Sequence, residues 1–439
     1  MDAIQSGKRR RISLKSDMDN LTATFEPDEL VQKNIRETEN SRDGNQTWAH
    51  TALASVPFVL VLGNSMIVPI LPTLERQLGI SNFQTSLVVT LFSVTAALVI
   101  PLAGYLSDRF SRKHVIVPAL LIYGGAGILS GLAAFWQSYS WLIVFRAIQG
   151  IGAAGTTPIA LALVGDMYKG AQESKALDLI EASNGFGKVV SPIFGSLLAL
   201  LVWFAPFFAL PVCCLISLLA ILFLVKEPKP DREPKPLSQY AESVKRIFAK
   251  DGKWLFATFF SGSLSMFILF GVLFFLSNIL EQPPYGINGV WKGFILAIPL
   301  FGMVVTAYLT GAIIRKNGVL IRLLMNIGLA LMVASLALAI WWNKNLYLFV
   351  GLLTASSIGT GMILPCFTTM ITGAVEKEER GMITSLYSSL RFLGVAIGPP
   401  IFGWLMGISR QTVFVVVSAL ALLALGLVFF WVKPDKQVH

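Results

Sequence analysis

Gly104-Tyr105-Leu106-Ser107-Asp108-Arg109-Phe110-Ser111-Arg112-Lys113 separates two long apolar runs, 84–103 upstream and 115–135 downstream. Each run is about 20 residues, which at about 1.5 Å per residue spans the roughly 30 Å hydrocarbon core of a bilayer. A short turn carrying Arg109, Arg112, Lys113 and Asp108 cannot lie in hydrocarbon, so it sits in the headgroup region between two membrane-crossing helices. Gly104 allows two helices to approach closely, and Asp108 is placed to cap a neighbouring helix or to pair with Arg112.

The pattern repeats outward from this turn. Apolar runs recur near 50–72, 84–106, 115–136, 140–167, 176–202 and 204–225, then near 254–280, 289–314, 320–342, 346–373, 382–407 and 410–432. The composition, 54% hydrophobic and only 14% charged, excludes an ordinary soluble domain and predicts an all-α membrane protein of twelve transmembrane helices. A net charge of +10 would suggest nucleic acid in a soluble chain. Here most Lys and Arg fall in the tails and alternate loops, with Arg76, Lys292, Lys344 and Arg410 on the opposite face. That asymmetry places both termini in the cytoplasm of a plasma-membrane protein.

Residues 1–48 read as a disordered cytoplasmic tail, 49–225 as an N-terminal six-helix bundle, 254–432 as a C-terminal one, and 433–439 as a short cytoplasmic end. Between the bundles, 226–253 begins with a Lys/Glu/Pro spacer. It continues with Leu237, Tyr240, Val244, Ile247 and Phe248 at helical spacing, an amphipathic helix expected to lie on the inner leaflet. The two halves are internally related. Gly104 has a counterpart in Gly311, Gly152 and Pro158 in Gly359 and Pro365 about 207 residues later, and Ser191-Pro192-Ile193-Phe194-Gly195 in Pro399-Pro400-Ile401-Phe402-Gly403. Cys213, Cys214 and Cys366 lie in apolar runs and read as packing residues. The scattered His50, His114 and His439 offer no metal-site spacing. The phenylalanines of the seventh run (Phe259, Phe260, Phe267, Phe270, Phe274, Phe275) are expected to face lipid.

Three motifs carry a family likeness. The turn is similar to Gly-x-Leu-(Ala/Ser)-Asp-Arg-x-Gly-Arg-Lys, with Ser111 in place of glycine. In the fourth run, Arg146-Ala-Ile-Gln149-Gly150-Ile-Gly152 mimics a dinucleotide fingerprint but has no preceding strand, which removes that reading. In the fifth, Gly187-Lys-Val-Val-Ser191-Pro192-Ile-Phe-Gly195-Ser196 is similar to Gly-x-x-x-Gly-Pro-x-x-Gly-Gly, with two glycines replaced by serine. On these residues, over about 50–432, the chain resembles the major facilitator superfamily, in its twelve-helix drug:proton antiporter-like branch. The resemblance implies two pseudo-symmetric six-helix bundles that alternate between inward and outward openings. It assigns Gly104, Asp108, Arg109, Arg112 and Asp166 to a cytoplasmic gate and Arg146 to proton coupling. Gly187, Ser191, Pro192 and Gly195 become the antiporter helix, although small residues at 183, 187, 191 and 195 would equally serve close packing.

The fifth run also carries Glu181, Asn184, Lys188 and Ser191 on one face, since residues seven apart differ by only about 20° around a helix. Ionisable groups at this depth are functional by default. Glu181, with Asp178 second, is expected to take the coupling proton, because buried acids are scarce elsewhere. Lys188, Asn184, Arg391, Gln149 and Asn64 are expected to line the substrate cavity. The first run lacks the embedded acid that several drug/proton antiporters carry there. The expected function is proton-coupled efflux of a small molecule, with the bilayer, protons and the substrate as partners, no nucleic acid, no cofactor, and a monomeric chain that is no enzyme. A symporter importing an organic anion, a lipid flippase and a non-transporting receptor are the rivals. The surplus of inward-facing cations suggests an anionic or zwitterionic substrate.

Overall fold

The computed structural model describes residues 47–227, 237–314, 317–342, 344–374 and 377–434. The N-terminal tail up to residue 46, the Pro-rich spacer, Arg315 and Lys316 of the degenerate second turn, and the final residues lie outside that description. The described residues form twelve long helices: α1 (Thr47–Leu78), α2 (Asn82–Arg109), α3 (Arg112–Phe135), α4 (Tyr139–Met167), α5 (Ala171–Leu198), α6 (Ala205–Leu224), α7 (Leu237–Glu281), α8 (Gly289–Ile314), α9 (Gly318–Ala339), α10 (Leu346–Ala374), α11 (Lys377–Ile408) and α12 (Arg410–Trp431). Eleven are long and apolar enough to cross a membrane. The exception is α5, whose polar stripe lowers its hydropathy.

Helix ends fall where capping chemistry permits. Ser81 and Gln84 form a reciprocal capping box that opens α2. Ser111, Asn317 and Ser409 accept backbone N–H groups at the starts of α3, α9 and α12. Proline explains the two interruptions. Before Pro69 and Pro72, α1 leaves regular helix at Met66–Ile67 and passes through a 3-10 turn, Val68–Ile70. Before Pro158, α4 breaks at Gly155–Thr156.

Burial sorts the helices into centre and rim. The apolar windows of α1 and α7 are 83% and 89% buried, against 33% for α6 and α12, so the first two run through the interior and the last two face lipid. This corrects the expectation for the seventh run. Phe259, Phe267, Phe270, Phe274 and Phe275 are buried and Phe260 is half-buried, because α7 is enclosed by α10, α11 and α12 and by the Val68–Leu78 end of α1. The linker segment from Leu237 continues into α7 as one helix rather than forming a separate element, and Ile247 is buried.

Across the molecule α2 packs along α11, and α5 along α8. Thr90 Oγ1 donates to the Ala396 carbonyl (2.6 Å), Ser389 Oγ to the Ala97 carbonyl (2.5 Å), and a Cβ at Gly104 would lie 2.9 Å from Ser385 Oγ. The internal repeat has a packing counterpart. Gly152 of α4 nestles on the α3 backbone, where a Cβ would meet Tyr123 N at 2.5 Å. Gly359 of α10 nestles on α9, where it would meet Gly328 O at 2.4 Å. Gly311, by contrast, faces open space, so the second copy of the turn has lost the close approach that Gly104 makes.

Candidate functional site

At the end bearing the Lys/Arg-rich turn, here called inner by the charge asymmetry, Arg112 is the hub. It is the first residue of α3 and 8% exposed. Its Nη1 pairs with Asp108 Oδ1 at 2.6 Å and donates to Ser107 Oγ at 2.7 Å, while Nε donates to Asp166 Oδ2 at 2.9 Å. Asp108, Arg112 and Asp166 therefore join the ends of α2, α3 and α4. Arg109 stands apart, exposed and donating to Tyr105 Oη on its own helix.

Glu227, just beyond α6, was not legible as part of this cluster. Its carboxylate accepts from Ser111 Oγ (2.5 Å), Arg112 N (2.7 Å) and Lys113 N (3.0 Å), an anion seated on the positive end of α3. Reciprocally, Lys113 Nζ donates to the Leu222 and Val225 carbonyls at the end of α6 (2.8 and 2.9 Å). Ser111, the departure from glycine, supplies one of the Glu227 bonds and also caps His114 N. The only hint in the sequence was an acid directly after the sixth apolar run.

Arg146 is fully buried. Its Nε donates to the Val88 carbonyl (2.9 Å), and Nη1 to the Gly63 carbonyl (3.2 Å) and Gln149 Oε1 (2.5 Å). Its guanidinium lies 4.5 Å from the Phe92 ring centre. Gly63 belongs to the last turn of α1 before its break, where carbonyls lose their helical partners. Arg146 and Gln149 thus tie α1, α2 and α4 together, and among the described residues no carboxylate pairs with Arg146.

The small residues of α5 mesh with α1 in parallel register. Ser183 Oγ donates to the Ala54 carbonyl (2.7 Å), a Cβ at Gly187 would lie 3.1 Å from the Phe58 ring, and one at Gly195 would lie 2.1 Å from the Met66 carbonyl oxygen. Ser191 is buried, and its Oγ donates to the Lys188 carbonyl (3.1 Å). The Pro192 carbonyl and Ser196 Oγ face Gly293 of α8, each 2.7 Å from a Cβ built there.

The polar stripe looks toward the other half. Lys188 feels the charges of Arg391 on α11 and of Glu181 on its own helix. Arg391 lies 5.6 Å over the Tyr387 ring, its Nε is buried without a hydrogen-bond partner, and its Nη2 reaches only Met266 Sδ at 4.0 Å. Among the described residues neither Lys188 nor Arg391 has a carboxylate within ion-pair distance. Asp178 and Glu181 are exposed, and Asn184 is half-buried. Asn64 is buried in α1 with its Oδ1 unpartnered. Gln149 faces Arg146 rather than Lys188.

A family model described as Major Facilitator Superfamily matches residues 53–335 and 292–439. The chain is 43% identical over 390 residues to the bacillibactin exporter of Bacillus subtilis (strain 168), covering 88% of this chain and 96% of that one. It is 27% identical over 361 residues to multidrug efflux protein YfmO of the same organism, covering 82% and 87%. Among solved structures, a bacterial homologue of the human lysosomal transporter Spinster, inward-facing and unoccupied, superposes with a TM-score of 0.72 at 17% identity, covering 90% of this chain and 98% of that one.

Proposed function

The chain belongs to the major facilitator superfamily, and on that premise we propose that it is an efflux transporter for an anionic small molecule of the siderophore class. One observation carries the charge of the substrate. Lys188 on α5 and Arg391 on α11 are cations from the two halves of the molecule that act on each other electrostatically, and among the described residues neither has a carboxylate within ion-pair distance. Two like charges in a low-dielectric interior repel, and a bound anion converts that repulsion into attraction to both halves at once. The 43% identity to a bacillibactin exporter, a siderophore carrier, supports the same chemistry. The aromatic run of α7 does not argue for hydrophobic cations, since its rings are packed in the interior.

In the proposed cycle the anion enters from the inner side, is held between Lys188 and Arg391, and leaves when the halves rock to open outward. Proton coupling is assigned to Glu181. It lies about two turns from Lys188 on one helix face, which places a carboxylate on the same stripe as the proposed anion site.

The test is transport by purified protein in liposomes under an imposed pH gradient, with bacillibactin, tetracycline and ethidium as probes. Bacillibactin should accumulate, collapse of the gradient should abolish accumulation, and Lys188→Gln or Arg391→Gln should raise KM at least tenfold. Glu181→Gln should retain downhill exchange and lose gradient-driven accumulation. Transport of ethidium without bacillibactin would overturn the anion reading, and undiminished accumulation by Glu181→Gln would move the proton to Asp178 or elsewhere.

A further inference from the structure

At the outer end, opposite the Lys/Arg-rich turn, the interruption of α1 is held by side chains from the other half. The carbonyls of Val68 and Pro69 lie where regular helix is lost. Val68 O keeps a backbone bond from Leu71 N, whereas Pro72 has no N–H to give to Pro69 O, so a neighbour must supply that bond. Val68 O accepts from Ser277 Oγ of α7 (2.8 Å), and Pro69 O accepts from Lys292 Nζ of α8 (2.5 Å). Lys292 is 1% exposed, although in sequence it reads as an ordinary outer-loop cation. Its charge is held by Glu281 at the end of α7, Nζ to Oε1 at 2.8 Å, and the other carboxylate oxygen pairs with Arg76 of α1. Beside them Asn82 Nδ2 donates to Asn278 Oδ1 (3.0 Å) and to Glu75 Oε2 (3.3 Å).

Sorting these bonds by half separates their roles. Lys292 and Glu281 sit on the same half, so their pair can travel intact. The bonds to Val68 O and Pro69 O, the Arg76–Glu281 pair and the Asn82–Asn278 bond cross between halves and must break if the outer end opens. Val68 O then keeps its bond from Leu71 N, while water entering from outside replaces Lys292 on Pro69 O, which ties opening to hydration of the α1 break.

We propose that this cluster is the outer gate. Lys292 and Ser277 clamp the broken segment Met66–Ile70 of α1 in the closed state, and the Lys292–Glu281 pair is the rigid arm that carries the clamp. The clamp engages backbone carbonyls, so it depends on the position of the break rather than on a matching charge in α1. Arg76 adds little, because its side chain is 60% exposed and its pair is screened.

The gate is tested by thiol labelling from each side of the membrane, which requires no substrate and is independent of the anion reading. The outer reporter is Ser196→Cys, whose position is 3% exposed and faces Gly293 across the α5–α8 seam. The inner reporter is Asn184→Cys, and the parent with its three native cysteines measures background. In membrane vesicles of defined orientation, Lys292→Met should raise the outer labelling rate at least tenfold and lower the inner rate. Ser277→Ala, a small change that removes one neutral hydrogen bond, should do the same by about fivefold. Arg76→Gln should change either rate by less than about threefold. The reciprocal change separates a gate from a packing contact, since loosened packing would raise both rates. Outer labelling within twofold of the parent in both Lys292→Met and Ser277→Ala, or both rates rising together, would overturn the proposal.

Discussion

Replacing Arg146 by methionine should destabilise the folded protein by about 3–5 kcal/mol, and the figure follows from its surroundings. Two short charge-assisted hydrogen bonds, to Val88 O and Gln149 Oε1, are lost, at about 2 kcal/mol each. The longer bond to Gly63 O and the desolvated cation–π contact with Phe92 add roughly 1 and 2 kcal/mol. Against these, removing a charge from mid-membrane recovers about 3 kcal/mol on insertion scales. At about 1.4 kcal/mol per tenfold, the net change lowers the folded-to-unfolded ratio by roughly two to three and a half orders of magnitude. Arg146→Lys should not restore stability, because an ammonium keeps the charge but cannot span α1, α2 and α4 with a planar fork. The assay is the midpoint of thermal or denaturant unfolding of purified protein in mild detergent, alongside transport in liposomes. A methionine variant of parental stability that cannot transport would refute the reasoning, and so would a lysine variant that restores transport. Either result would make Arg146 a working charge rather than a clamp on the α1 break.

Asp108→Asn should abolish transport yet alter stability by no more than about 1 kcal/mol, since Asp108 is half exposed and Arg112 keeps Asp166; unfolding midpoints and transport by correctly inserted protein check it. Glu227→Gln removes the anion from the start of α3 and should lower stability by about 1–2 kcal/mol at low salt, with the loss shrinking as salt is raised; a salt-independent loss would contradict the assignment. For orientation, Ser238→Cys should resist an impermeant thiol reagent added to intact cells, whereas Lys344→Cys should label. The reverse pattern would invert the topology.

The number of long helices, the position of the charged turn and the twofold repeat were determined by the sequence alone, because each depends on one-dimensional quantities. A crossing helix needs about 20 apolar residues, a headgroup turn needs charge, and a repeat needs only self-similarity. The pairing of Asp108 with Arg112 follows the four-residue spacing of a helix, and the common face of Glu181 and Lys188 follows its pitch. The direction of a helix face around its axis was not readable in this way. The phenylalanines of α7 face inward because α7 is central, and no local pattern distinguishes a central apolar helix from a peripheral one. Arg146 reads in sequence as a proton-coupling residue by resemblance, whereas the fold surrounds it with carbonyls from α1 and α2. Lys292 reads as an outer-loop charge, yet tertiary packing buries it against the broken backbone of α1. In all three cases the deciding partners are backbone oxygens or helices more than 50 residues away in the chain, and their identity is a property of the folded arrangement, since every residue carries a carbonyl and only packing determines which ones are left unsatisfied.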